Sequence, residues 1–174
     1  MRFGEFLKTT VLLSAGSATA LAAITVLALS RDYEPAVAYV SAGWWLVATY
    51  LGLRLGRGAE TSPPIARLLA DARHQTMLPE LRPAATLLNR LWALLTMTLL
   101  AGVLGLFVPQ VAGVATGFGI IWALAWRRQH LAVLAIEQRD AARFYVDKTS
   151  PLQPIRLVRT PGFGGAFLKQ PQTT

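Results

Sequence analysis

The chain alternates long stretches without charge and shorter stretches that hold almost all of it. No Asp, Glu, Lys or Arg occurs between Lys8 and Arg31, between Glu34 and Arg54, or between Arg90 and Arg127. An α-helix rises about 1.5 Å per residue, so about 20 mostly apolar residues cross a hydrocarbon core of roughly 30 Å. The first two gaps each hold one span. The third would make a single helix of roughly 50 Å. Pro109 and Gln110 sit near its middle, and proline interrupts the helical ladder, so this gap reads as two spans in a tight hairpin. The pattern predicts an all-α polytopic membrane protein, a four-helix transmembrane bundle with spans at approximately 9–30, 35–53, 88–108 and 111–128.

Basic residues are retained on the cytoplasmic side during insertion. Arg2 and Lys8 precede span one, the middle loop 54–87 is rich in arginine, Arg90 follows it, and Arg127 and Arg128 open the segment after span four. The loop between spans one and two sets Arg31 against Asp32 and Glu34, and the Pro109 hairpin is uncharged. Both termini and the middle loop are therefore expected inside. That topology puts 16 of the 17 Lys and Arg and seven of the nine acids on the cytoplasmic side, which accounts for the formal net charge of +8 without invoking nucleic acid. The expected organisation is a bundle at 1–142 and a cytoplasmic tail at 143–174.

The chain has no cysteine, which excludes disulfides, thiolate metal sites and a cysteine nucleophile. Its Arg-rich, Lys-poor, Ala- and Leu-rich composition points to a bacterial plasma membrane. The start also has the parts of a cleavable signal, with Arg2 and Lys8 before an apolar run and Ala18-Thr19-Ala20. The apolar residues continue through Leu29, long enough to span, so a retained anchor is expected.

Helices in lipid are joined by close approach through small residues and by interhelical hydrogen bonds. Gly113, Gly117 and Gly119 in span four and Gly16 in span one are the expected packing positions, with Ser14, Ser17, Ala18 and Ala20 beside Gly16 and with Ser41, Gly43, Gly52 and Gly56 as a seam on span two. The same glycine pair would also serve a homo-oligomer. Trp44 and Trp45 fall near the middle of span two, where each indole N–H lacks water. A ligand cage is one reading; a hydrogen bond to a neighbouring span is the other, and it is preferred because no carboxylate lies at that depth. Between the charged residues that bound them, the spans hold no Asp, Glu, His, Lys or Arg, which disfavours proton coupling through them.

In the middle loop, Ile65, Leu68, Leu69 and Ala72 recur at helical spacing after Pro64, predicting a short amphipathic cytoplasmic helix running on toward His74. Arg67 and Arg73, with Arg127 and Arg128, are expected to meet anionic lipid headgroups. After Trp126 a continued helix is expected, with Asp140 and Arg143 paired at i,i+3. The tail then alternates β-favouring and turn-like segments and predicts either a small β-hairpin or two extended strands. Tyr145, Ile155, Arg156, Leu157 and Arg159 are the expected docking residues for a protein partner that adds a strand to them; a hairpin tucked against the middle loop is the alternative. Pro151, Pro154 and Arg156 also match the pattern read by SH3 domains, a mode out of place in a bacterial chain. Phe163 and Phe167 are further candidates for contact with lipid or a partner.

The only histidines are His74 and His130. One imidazole with one carboxylate, as in Asp71/His74 or His130/Glu137, falls short of a usual metal set. No nucleophile elbow or phosphate-binding glycine loop follows a strand. No metal, cofactor or nucleic acid is expected. The expectation is a non-enzymatic accessory, assembly or scaffold component of a membrane complex; the alternative is an oligomeric passive channel or small-solute transporter.

Overall fold

The computed structural model describes residues 1–31, 34–58, 61–74, 83–147 and 155–161. The Pro151/Pro154 motif, Phe163 and Phe167 lie outside them. The elements are α1 (Phe3–Arg31), α2 (Pro35–Leu55), α3 (Pro63–Ala70), β1 (Arg73–His74), α4 (Pro83–Gly105), α5 (Pro109–Trp126), α6 (Gln129–Arg139), β2 (Ala142–Val146) and β3 (Leu157–Pro161). Four helical segments, Phe3–Arg31, Pro35–Leu55, Ala84–Gly105 and Pro109–Arg139, are long and apolar enough to cross a membrane. This is consistent with a multi-pass membrane protein. Proline opens α2, α3 and α5, where its missing N–H would have lacked an intrahelical partner anyway. Between α4 and α5 the uncharged hairpin closes through Val108 N–H donating to the Leu104 carbonyl at 2.8 Å.

The chain forms two compact units. One consists of Leu7–Gly58 and Arg90–Arg128. Here α2 lies along α5, with Ser41 against Gly113, Trp44 against Gly117, and Gly52 against Ile121 and Leu124. Residue numbers rise together along both helices, so α2 and α5 run in the same direction. Thr25 approaches Gly113 and Ala18 approaches Gly119, so α1 runs opposite to α5. Gly102 of α4 faces Leu21 and Ile24 of α1, and Leu94 and Met97 share a hollow with Ser14 and Ser17, which makes α1 and α4 co-directional. The direction therefore reverses from each of these four long helices to the next.

The other unit gathers Met1–Phe6, Ala59–Asn89 and the chain from Gln129 onward. Its sheet has the order β1-β3-β2. β3 is central, parallel to β1 with Arg73 opposite Val158, and antiparallel to β2 with Phe144 opposite Arg159. The first residues add to the outer side of β2: Arg2 bridges Tyr145, and Val146 N–H donates to the Met1 carbonyl at 3.1 Å. Phe3, Ile65, Val133, Phe144, Leu157 and Val158 are all buried and form the apolar core of this unit. Burial of each contributes about 1.5–3 kcal/mol relative to exposure.

Several expectations need correction. The middle-loop helix stops at Ala70, and Arg73–His74 is a strand because β3 offers it a ladder partner. The Asp140/Arg143 pair does not form, because α6 ends at Arg139 and Arg143 enters β2; Asp140 instead bonds Arg139 at 2.8 Å. Helix α1 begins at Phe3 rather than residue 9, its first turn being held by Phe3 and Phe6, both buried.

Candidate functional site

Three of the four expected glycines mark close helix contacts. A Cβ on Gly113 would fall 2.6 Å from Ser41 Oγ, one on Gly119 would fall 3.0 Å from Ala18 Cβ, and one on Gly117 would collide with the Trp44 indole nitrogen. Gly52 and Gly56 extend the seam: a Cβ on Gly52 would lie 2.8 Å from Leu124 Cβ, and one on Gly56 would strike the Leu124 carbonyl oxygen. Gly16 differs. Nothing comes within 4 Å of its Cβ position, and it lies on the exposed face of α1 between Ser14 and Ala18, which face inward. Small size alone did not place it in a seam; its phase on the helix decides.

Both mid-span indoles are satisfied by α5. Trp44 Nε1 donates to the Val114 carbonyl at 3.0 Å and Trp45 Nε1 to the Gly113 carbonyl at 2.8 Å, which meets the hydrogen-bond reading. Phe118 packs edge-on against Trp44, with ring centroids 5.5 Å apart. Hydroxyls in the spans turn back on their own helices. Ser14 donates to the Thr10 carbonyl, Thr25 to Leu21, Thr49 to Trp45 and Thr116 to Ala112, all at 2.8–2.9 Å. A hydroxyl closed in this way needs no water and adds little polarity to a path between helices.

The expected docking residues fall on both sides of the sheet unit's surface. Tyr145 and Leu157 are buried, Ile155 and Arg159 are half-buried, and Arg156 is exposed. β3 is paired with β2 along its length and with β1 at Val158 and Arg159, so both edges of β3 are occupied at Arg159 and one is occupied at Leu157. The alternative reading, a hairpin held against the middle loop, is the geometry present. Of the expected headgroup contacts, Arg67, Arg73 and Arg128 are exposed and Arg127 is half-buried; Arg128 also donates to the Arg57 carbonyl at 3.3 Å.

Glu137 was read from the sequence only as a possible partner for His130. Its carboxylate accepts from Phe144 N–H at 2.9 Å, tying α6 to the middle of β2. His130 Nδ1 is buried without a hydrogen-bond partner among the described residues. Among the described residues, no three His, Cys, Asp or Glu come together. The half-buried Asp140 carboxyl is held below the usual carboxylate range, first by its hydrogen bond from Arg139 and also by the charges of Arg139 and Arg159. The part played by Arg2 escaped the sequence reading, because a single bridge has no periodicity to detect.

Comparison with family models, with curated proteins and with solved structures finds no match to this chain.

Proposed function

We propose that this protein is a non-enzymatic accessory, assembly or scaffold component of a membrane complex. Its four long helices form a bundle in a bacterial plasma membrane, with both termini in the cytoplasm, and its sheet unit docks a cytoplasmic protein partner. The observation that carries this reading is the α2–α5 seam, whose glycines leave no room for a Cβ and whose indole and hydroxyl donors are spent on helix carbonyls. A seam of that kind holds helices together and offers a solute no polar route.

Docking runs through side chains rather than strand addition. Arg156 is exposed beside a sheet whose central strand is already paired on both edges, so the reading favours a partner with an acidic surface. Arg67, Arg73, Arg127 and Arg128 are assigned to anionic headgroups at about 1 kcal/mol each near the surface.

Affinity purification of the full chain in mild detergent tests the reading. A partner should be recovered with the wild type and lost with Arg156→Glu, while both proteins elute alike on size exclusion. Equal recovery by the two would overturn docking at Arg156. Solute flux into liposomes holding only the pure protein would establish the channel alternative instead.

A further inference from the structure

Two neighbouring hollows lie where α1 ends and α2 begins, both within the unit formed by the long helices. The larger, about 370 Å³, is lined by Arg31 at the end of α1, Glu34 at the start of α2, Gln110, and the apolar Leu27, Phe107 and Val108. The smaller, about 190 Å³, is lined by Val40, Ser41, Trp44 and Val114. Val37 and Gln110 line both. The polar hollow therefore lies directly beside the apolar one. Val37, Val40 and Trp44 follow one another at helical spacing along α2 and lead from the end of the span toward its middle.

We infer that this double hollow is a binding site for one phospholipid with a zwitterionic headgroup bearing a primary ammonium, its phosphate at Arg31, its ammonium at Glu34 and an acyl chain along Val40, Trp44 and Val114. The charges are the first reason. Among the described residues no ion pair joins Arg31 to Glu34, so the hollow offers a cation and an anion to a ligand that carries both signs. Guanidinium binds phosphate through paired hydrogen bonds, and a carboxylate accepts several hydrogen bonds from a primary ammonium. A purely anionic headgroup would meet Arg31 but be repelled by Glu34. Depth is the second reason. The charged residues lie where the apolar runs of α1 and α2 end, at the level of headgroups, and the apolar hollow lies inside the span at the level of the chains. A soluble zwitterion would fill only the first hollow and leave the second empty. The site is independent of the docking proposal, since it uses no residue of the sheet unit.

Native mass spectrometry of the full chain in detergent, with phosphatidylethanolamine and phosphatidylglycerol in equal amounts, tests the inference. The wild type should retain one phosphatidylethanolamine per chain in about tenfold preference, a preference of the size expected from charge-assisted hydrogen bonds at an interface. Glu34→Gln should bring the two lipids to similar occupancy. Val114→Trp, at an exposed position beside the apolar hollow, should reduce retention of both while leaving the thermal unfolding midpoint near wild type. Equal retention of the two lipids by the wild type would overturn the inference. Displacement of the lipid by water-soluble phosphoethanolamine at matched concentration would also overturn it, in favour of a soluble ligand.

Discussion

The indole of Trp44 lies over Gly117, its nitrogen occupying the place that a Cβ at residue 117 would take while donating to the Val114 carbonyl one turn away. Size at position 117 and a hydrogen bond at the middle of the span are thus one constraint. Gly117→Ala should displace the indole and lower stability in detergent by about 1–3 kcal/mol, the usual cost of overpacking. Gly16→Ala, with open space around it, should stay within about 0.5 kcal/mol of wild type. Thermal unfolding of the two variants side by side checks both, and equal effects would contradict the seam.

The four long helices were legible because charge is excluded from lipid and the gaps between charged residues mark it. Helix ends were less legible. The charges at Arg2 and Lys8 put the expected start of span one at residue 9, yet Phe3 and Phe6 are buried and carry the helix back to Phe3. Arg73 and His74 were read as helix because strand character in two residues comes only from the partner strand, which lies more than 80 positions away. The same applies to Arg2 and Tyr145. Long-range pairing of short segments has no periodic signature, whereas the indoles of span two were interpretable because an N–H in lipid must find an acceptor.

The hydrogen bond from Phe144 N–H to the Glu137 carboxylate should be worth about 1–2 kcal/mol to the sheet unit. Glu137→Ala leaves that amide without its acceptor. Hydrogen exchange at Phe144 should accelerate, while exchange in α2 and α5 stays unchanged.

Helix α6 hands over to β2 through Ala141, whose φ of 46° is the left-handed conformation that disfavours a Cβ. Ala141→Gly should therefore stabilise the full chain by about 0.5–1 kcal/mol, since glycine takes that conformation without steric cost. Loss of stability on this substitution would contradict the strained turn.

The Asp140 carboxyl should titrate below ordinary aspartate, and Arg139→Gln should bring it back toward the usual range. Because its folded pKa is lowered, its contribution to stability is present above the unfolded carboxylate value and is lost as the pH falls through the folded one. Contact with solvent keeps that contribution small. An NMR pH titration of the Asp140 carboxyl in both proteins reads the shift directly.

The side of the membrane on which the small sheet lies decides the functional reading, because a cytoplasmic partner can meet it on only one side. The chain has no cysteine, so single cysteines report without background. Gln110 in the first turn of α5 and Arg156 beside β3 are both exposed. With a membrane-impermeant maleimide on intact cells, Gln110→Cys should be labelled and Arg156→Cys should be labelled only after permeabilisation. Labelling of Arg156→Cys from outside with protection of Gln110→Cys would invert the topology and contradict docking in the cytoplasm.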